Sequence, residues 1–186
     1  MAICPDTCSI DLPEVYADGC GVVTRNGGIS RLVFVKCNFV LPDITVTTDW
    51  EDAITNGDIV VSGYLLGQKP KGSFTKKRVV SCDPEAVVGA EHSITFQDYN
   101  TDTLTAGGHG VLQYTFWNTI LDDTTKYKLM FITCEDYVYG YIDSFQLEID
   151  EVIEDSSTGS SYFDGTLTWN DTLMAVPTYV DLSGVI

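Results

Sequence analysis

The sequence predicts a mainly β fold, an antiparallel β-sandwich or open barrel with one flanking α-helix and extended terminal arms. Three observations predict it. Val, Ile, Thr, Tyr and Phe are abundant, and these residues suit a pleated, half-buried surface. Short alternating apolar runs recur, each bounded by Gly, Pro, Asn or Asp. One stretch alone, Val111–Leu121, spaces apolar residues at helical intervals over a substantial length. The 186 residues suit one domain large enough to bury a core, and there is no internal repeat.

Residues 1–28 carry prolines, acids, Gly19, Gly21 and the Asn26-Gly27-Gly28 turn signal without sustained periodicity, so they read as an N-terminal extended arm. A β-sandwich domain is expected over 29–171. Its first strand runs from Ile29 to Phe39, with Arg31, Val33, Val35, Cys37 and Phe39 alternating with Leu32, Phe34, Lys36 and Asn38. Both faces begin apolar, so one end is expected to be covered on both sides. Thr48-Asp49-Trp50-Glu51 has the form of a capping box opening a short helix that Asn56-Gly57 ends. Asp58–Leu66 and Ser73–Cys82 read as strands of a hairpin, 58–82, joined by the Gly- and Pro-containing loop 67–72.

Ser93–Gln97 is a further short strand, and Val111–Leu121, with Leu112, Phe116 and Ile120 four residues apart, is the one substantial helix. Tyr127–Thr133, Tyr137–Ile142 and Phe145–Ile153 follow as consecutive strands. In the third, Leu147, Ile149 and Glu151 alternate with Glu148 and Asp150. A Ser/Gly-rich loop, Asp155–Ser161, precedes a last strand around Thr166–Trp169. The C-terminal tail, 172–186, has apolar residues with little periodicity and suits a segment laid across a neighbouring subunit.

Charge is distributed unevenly. Lys69, Lys71, Lys76, Lys77 and Arg78 are half of the ten basic residues, whereas after Lys128 no Lys or Arg follows and eleven Asp and Glu do. A net charge of −17 disfavours a phosphate-gripping nucleic-acid binder, which needs clustered cations. It suits a surface past which DNA slides without sticking. A positive hairpin on a negative body suggests copies docking arm to body, because opposite fields steer association and fix register. The five basic residues are therefore the candidate inter-subunit contact.

No catalytic constellation, cofactor site or metal site is expected. The two histidines, His92 and His109, sit in no nucleophile or metal motif, and Gly107-Gly108-His109-Gly110 lacks the Lys-Ser/Thr of a phosphate loop. Asp98, Asn100 and Asp102 have the spacing that opens a calcium loop, but Thr103 replaces the turn glycine and His109 the closing Glu. Carboxylate pairs such as Glu135 with Asp136, and Asp150 with Glu151, arise readily in so acidic a chain. Tyr137, Tyr139 and Tyr141 alternate and would share one strand face, where they could pack or stack sugars.

Cys4, Cys8 and Cys20 crowd the first segment. They could supply three thiolates to zinc, form a disulfide or remain free. Cys37, Cys82 and Cys134 lie in or beside apolar strand-like runs. The first residues lack a basic and then apolar leader and no window reaches membrane-spanning length, so synthesis in a cytosol is expected.

Four patches carry a resemblance: Gly27–Leu32, Thr47–Trp50, Lys77–Glu85 and Glu91–Asn100. They resemble virion structural proteins of crAss-like phages infecting gut Bacteroidetes, over roughly the first two thirds of the chain. The resemblance implies a non-enzymatic ring component of the tail or connector, with a fold similar to phage tail-tube proteins and an inter-subunit hairpin. It implies as partners copies of the same chain, other tail, connector or portal-proximal proteins, and genomic DNA passing through without specific binding. It also implies assembly in the bacterial host cytoplasm. The alternative is a head decoration or carbohydrate-binding adhesion module built on the tyrosine strand.

Overall fold

The computed structural model describes residues 27–78, 86–99, 110–155, 161–171 and 175–186. The elements run β1 (Ile29–Lys36), α1 (Thr47–Thr55), β2 (Ile59–Val61), β3 (Leu66–Gln68), β4 (Ser73–Lys77), β5 (Ala86–Asp98) and α2 (Gly110–Asp122). After a 3₁₀ turn at Thr124–Lys126 come β6 (Tyr127–Thr133), β7 (Tyr137–Ile142), β8 (Gln146–Ile153), β9 (Ser161–Asn170) and β10 (Thr178–Tyr179). The fold is mainly antiparallel β, as expected. Its strands form one open ten-stranded sheet, in the order β10-β7-β6-β1-β3-β5-β9-β8, with β2 on β1 and β4 on β5.

That sheet is strongly curved. Phe131 on β6 and Trp169 on β9 are four strand spacings apart along the sheet, about 19 Å if it were flat. Their ring centroids are 6.4 Å apart. Both halves thus feed one apolar cluster, in which Leu32, Phe34, Leu129 and Phe131 meet Ile94, Phe96, Leu147 and Leu167. Helix α2 adds Trp117 and Ile120, both buried. Trp117 stacks on Phe96 at 5.3 Å and meets Phe34 edge-on at 6.2 Å.

The apolar runs Leu32–Val35 and Leu129–Ile132 are buried on both faces, the double cover that the sequence of β1 implied. Leu32, Phe34, Leu129 and Phe131 face the cluster just described, while Val33, Val35, Met130 and Ile132 face a second one. Trp50 and Ala53 of α1 and Val180 and Leu182 near the C-terminus cover that second face. The described part of the tail packs on its own chain, with β10 paired to β7 and Val180 and Leu182 in the second cluster.

Three local expectations are corrected. Helix α1 begins two residues earlier, with Val46 instead of Thr48 at the N-cap and no side-chain capping bond, so the Thr48–Glu51 capping box does not form. The Asp49 carboxylate instead accepts from the Asp43 amide at 2.9 Å, and the Trp50 indole donates to the Ile44 carbonyl at 3.0 Å. The strand expected over 93–97 extends over thirteen residues as β5. The hairpin 58–82 is paired otherwise: β2 lies on β1, and β3 and β4 both lie on β5, Leu66 opposite Gln97 and Lys77 opposite Ala86. Residues 59–77 thus run on along the sheet, and 67–72 is an interruption in that run instead of a hairpin tip.

Tight packing across this sheet sets a measurable limit at Gly165, where a Cβ would collide with the Phe96 ring. Gly165→Ala is expected to destabilise the fold by about 1–3 kcal/mol through overpacking. Urea unfolding should show a lower midpoint with an unchanged denaturant slope.

Candidate functional site

All five basic candidates are exposed, but the fold divides them. Lys69 lies in the interruption after β3, its ammonium 5.7 Å from the centroid of the Trp169 ring. Lys76 and Lys77 close β4, and Arg78 follows. Strand β9 pairs with β5 only from Glu91 onward, whereas β4 pairs with residues 86–91. The end of the β4–β5 ladder therefore projects past β9 as a two-stranded arm. It carries Lys76, Lys77 and Arg78 beside exposed Phe74, Val87 and Val88. The segment that joins its strands, including Cys82, lies outside the described residues.

At the far end of the sheet the charge is opposite. Glu148 pairs with Thr166 and Asp150 with Asp164 across the β8–β9 ladder. Alternation puts all four side chains on one face, and the three acids are exposed. Two carboxylates directly opposite each other on neighbouring strands are mutually destabilising. The described ion pairs, Lys36–Asp58, Lys126 with Asp122 and Asp123, and Lys128–Asp143, do not reach this face. Strand β8 is also an end strand of the described sheet. Among the described residues it combines an unpaired backbone edge with negative charge that no ion pair neutralises.

The three tyrosines of β7 do not share a face. Between the pairs Phe131–Tyr139 and Leu129–Ile142 the ladder shifts by one residue, and Gly140 absorbs the irregularity at φ +142. Alternation then reverses. Tyr139 stacks on Phe131 at 4.7 Å, while Tyr141 turns to the second cluster, where its hydroxyl accepts from the Leu41 amide at 2.9 Å. No local sequence signal marks the bulge apart from Gly140 itself.

Asp98 is buried and accepts a 3.0 Å hydrogen bond from the Trp117 indole N–H, which ties β5 to α2. Asn100, Asp102 and His109 lie outside the described residues, as do Cys4, Cys8 and Cys20. His92 is buried against Trp169, ring centroids 5.5 Å apart, and among the described residues its Nδ1 has no hydrogen-bond partner. Cys37 and Cys134 are exposed, and neither forms a disulfide among the described residues. Among the described residues no group of three or more His, Cys, Asp or Glu is placed to hold a metal ion, and no helix is long and apolar enough to cross a membrane.

Sequence reasoning missed an aromatic cavity of about 650 Å³ at one mouth of the curved sheet, lined by Phe131, Tyr137, Tyr139, Trp169, His92 and Val176 among others. Its walls come from β5, β6, β7 and β9, so only the long-range curvature brings them together.

No family model, curated protein or solved structure matches this chain.

Burial raises the Tyr141 phenol above its ordinary value of 10.0, in opposition to the Leu41 amide bond, which favours the phenolate. Folding therefore favours the protonated form. Its contribution to stability is complete below the unfolded value and is lost as pH rises through the folded one. Tyr141→Phe should lessen the fall in urea midpoint between about pH 9 and about pH 11, either side of an unperturbed tyrosine. An unchanged alkaline slope would remove Tyr141 from that titration.

Proposed function

We propose that this chain is a non-enzymatic phage virion structural protein that oligomerises into a ring of the tail or connector and helps form the DNA-ejection channel. The observation that carries the assembly is the pairing of opposites on one molecule: a projecting cationic arm, and an acidic end strand whose outer edge is unpaired among the described residues. The arm of one copy docks against the β8–β9 acids of the next, Glu148, Asp150 and Asp164. The contact is heterologous, so repetition gives a closed ring when the rotation between copies closes. It also covers an exposed strand edge that would otherwise invite uncontrolled pairing.

The virion context rests on the four sequence patches that resemble crAss-like phage structural proteins. In that context the excess negative charge serves the channel, because phosphates meeting like charge pass without binding. Other tail, connector or portal-proximal proteins contact the ring above and below. The rival reading as a carbohydrate adhesion module drew on a shared tyrosine face; the β7 bulge sends the Tyr141 hydroxyl to the Leu41 amide, although Tyr137, Tyr139 and Tyr141 all border the aromatic cavity.

The test is oligomeric state. The triple variant Lys76→Glu, Lys77→Glu, Arg78→Glu should sediment as a folded monomer, with unchanged circular dichroism, under low-salt conditions in which the unaltered chain assembles. Added salt should dissociate the unaltered assembly, because exposed charges are screened beyond about 10 Å at 0.1 M. Equal assembly by variant and parent would overturn the docking role.

A further inference from the structure

The acidic face of β8 and β9 carries more than charge. The side of β9 that bears Asp164 and Thr166 also bears Tyr162, two residues before Asp164, and Tyr162 stacks on Tyr99 with ring centroids 4.8 Å apart. Tyr99 is exposed, so the pair offers an aromatic surface to solvent. Carboxylates stand near it. Asp150 lies opposite Asp164 across the ladder, and the Tyr162 phenol is held above its ordinary value of 10.0 by burial first, then by Coulombic repulsion from Tyr99, Glu154 and Asp164. An aromatic surface beside negative charge suits a planar, weakly hydrated cation, which describes guanidinium better than ammonium. The molecule itself shows the difference. Cζ of Arg31 stands 4.1 Å from the centroid of the Tyr64 ring, whereas the ammonium groups of Lys69 and Lys128 stand 5.7 and 5.6 Å from Trp169 and Tyr141.

We propose that the Tyr99–Tyr162 pair is a guanidinium site whose occupant is Arg78 of a second copy. The inference rests on the arm-to-body reading and adds the residue that sets its register. Three observations select Arg78. It is the single arginine among the five basic candidates. Lys76 and Arg78 are two residues apart at the end of the arm, as Asp164 and Tyr162 are on β9; each step is about 7 Å on extended backbone, so Lys76 meets the Asp150–Asp164 pair while Arg78 meets the rings. The same chain cannot make the contact. Lys77 is paired with Ala86 at one end of β5, and Tyr99 follows Asp98 at the other; the length of that strand sets the two sites roughly 40 Å apart, beyond the reach of a side chain. The contact therefore joins different patches on two copies, the heterologous geometry that a ring requires.

The experiment keeps the charge and changes its shape, with association of the full chain followed by sedimentation at low salt. Arg78→Lys should weaken association by about fivefold, while Lys76→Arg should not weaken it. Tyr162→Leu should weaken it by a similar factor, and combining it with Arg78→Lys should cost less than about a further twofold, because both changes remove one contact. Circular dichroism should be unchanged throughout. Arg78→Lys assembling as the parent does, or losses that multiply in the double variant, would overturn the proposal; the arm-to-body reading survives that result if the triple glutamate variant is still monomeric. A parent that stays monomeric, or a triple variant that assembles like the parent, overturns both.

Discussion

The continuity of the sheet through Leu66–Gln68 is the constraint on which the rest of this structure depends. Between β1 and β5 the described ladder is only three residues long: Gly67 lies opposite Ile29 on one side and opposite Phe96 on the other. A short strand bonded on both edges permits a sharp change of direction, because few backbone bonds must bend with it. The change of direction brings β6 and β9 face to face and lets Phe131 approach Trp169. Gly67 suits the position for a steric reason, since a Cβ there would stand 3.0 Å from that of Ile29. The apolar cluster, the aromatic mouth and the outward edges all follow from where this bend falls.

Burial on both faces fixes the other half of the sheet. The β1–β6 pair has aromatic and leucine side chains on its inner face, and α1 with the C-terminal residues on its outer face. Such strands are poor places for function, because any polar group there would lose water without gaining a partner. Polar and charged residues are left to the β8–β9 face and the β4–β5 arm. The sites that can engage a partner are therefore edges and ends of the sheet, where backbone hydrogen-bonding capacity is also available.

What could be read from the sequence follows the range of the interactions involved. The bounds of β6 and β7 were legible because each is a self-contained run between turn residues, and the alternation of Leu147 and Ile149 with Glu148 and Asp150 in β8 reports a local pleat. The double burial of β1 was legible in Leu32–Val35, since a four-residue apolar run cannot be satisfied by one covered face. The partner of Ser73–Lys77 was not legible. Its sequence fits a hairpin with β2 as well as a ladder with β5, and the choice is made by the bend at β3, far from the strand itself. The same holds at α1, where Thr48 and Glu51 offered a capping box but burial of Trp50 and the Asp49 bond to the Asp43 amide set the start of the helix. The five basic positions were legible as exposed charge; their division into Lys69 beside Trp169 and Lys76–Arg78 on the arm depended on β4 pairing with β5.

The distribution of charge then acquires a physical reading that composition alone does not supply. A chain at −17 repels itself, and compact packing of like copies opposes that repulsion unless opposite charges meet at the contact. Concentrating cations on the exposed β4–β5 ladder keeps them out of the core, where desolvation would offset any attraction, and in the proposed ring would leave them free to meet the acids of another copy. The Asp150–Asp164 pair belongs to the same economy of placement. Two carboxylates opposed across a ladder disfavour the isolated subunit; in the proposed ring the cationic arm would relieve them, and the pair would then favour that contact.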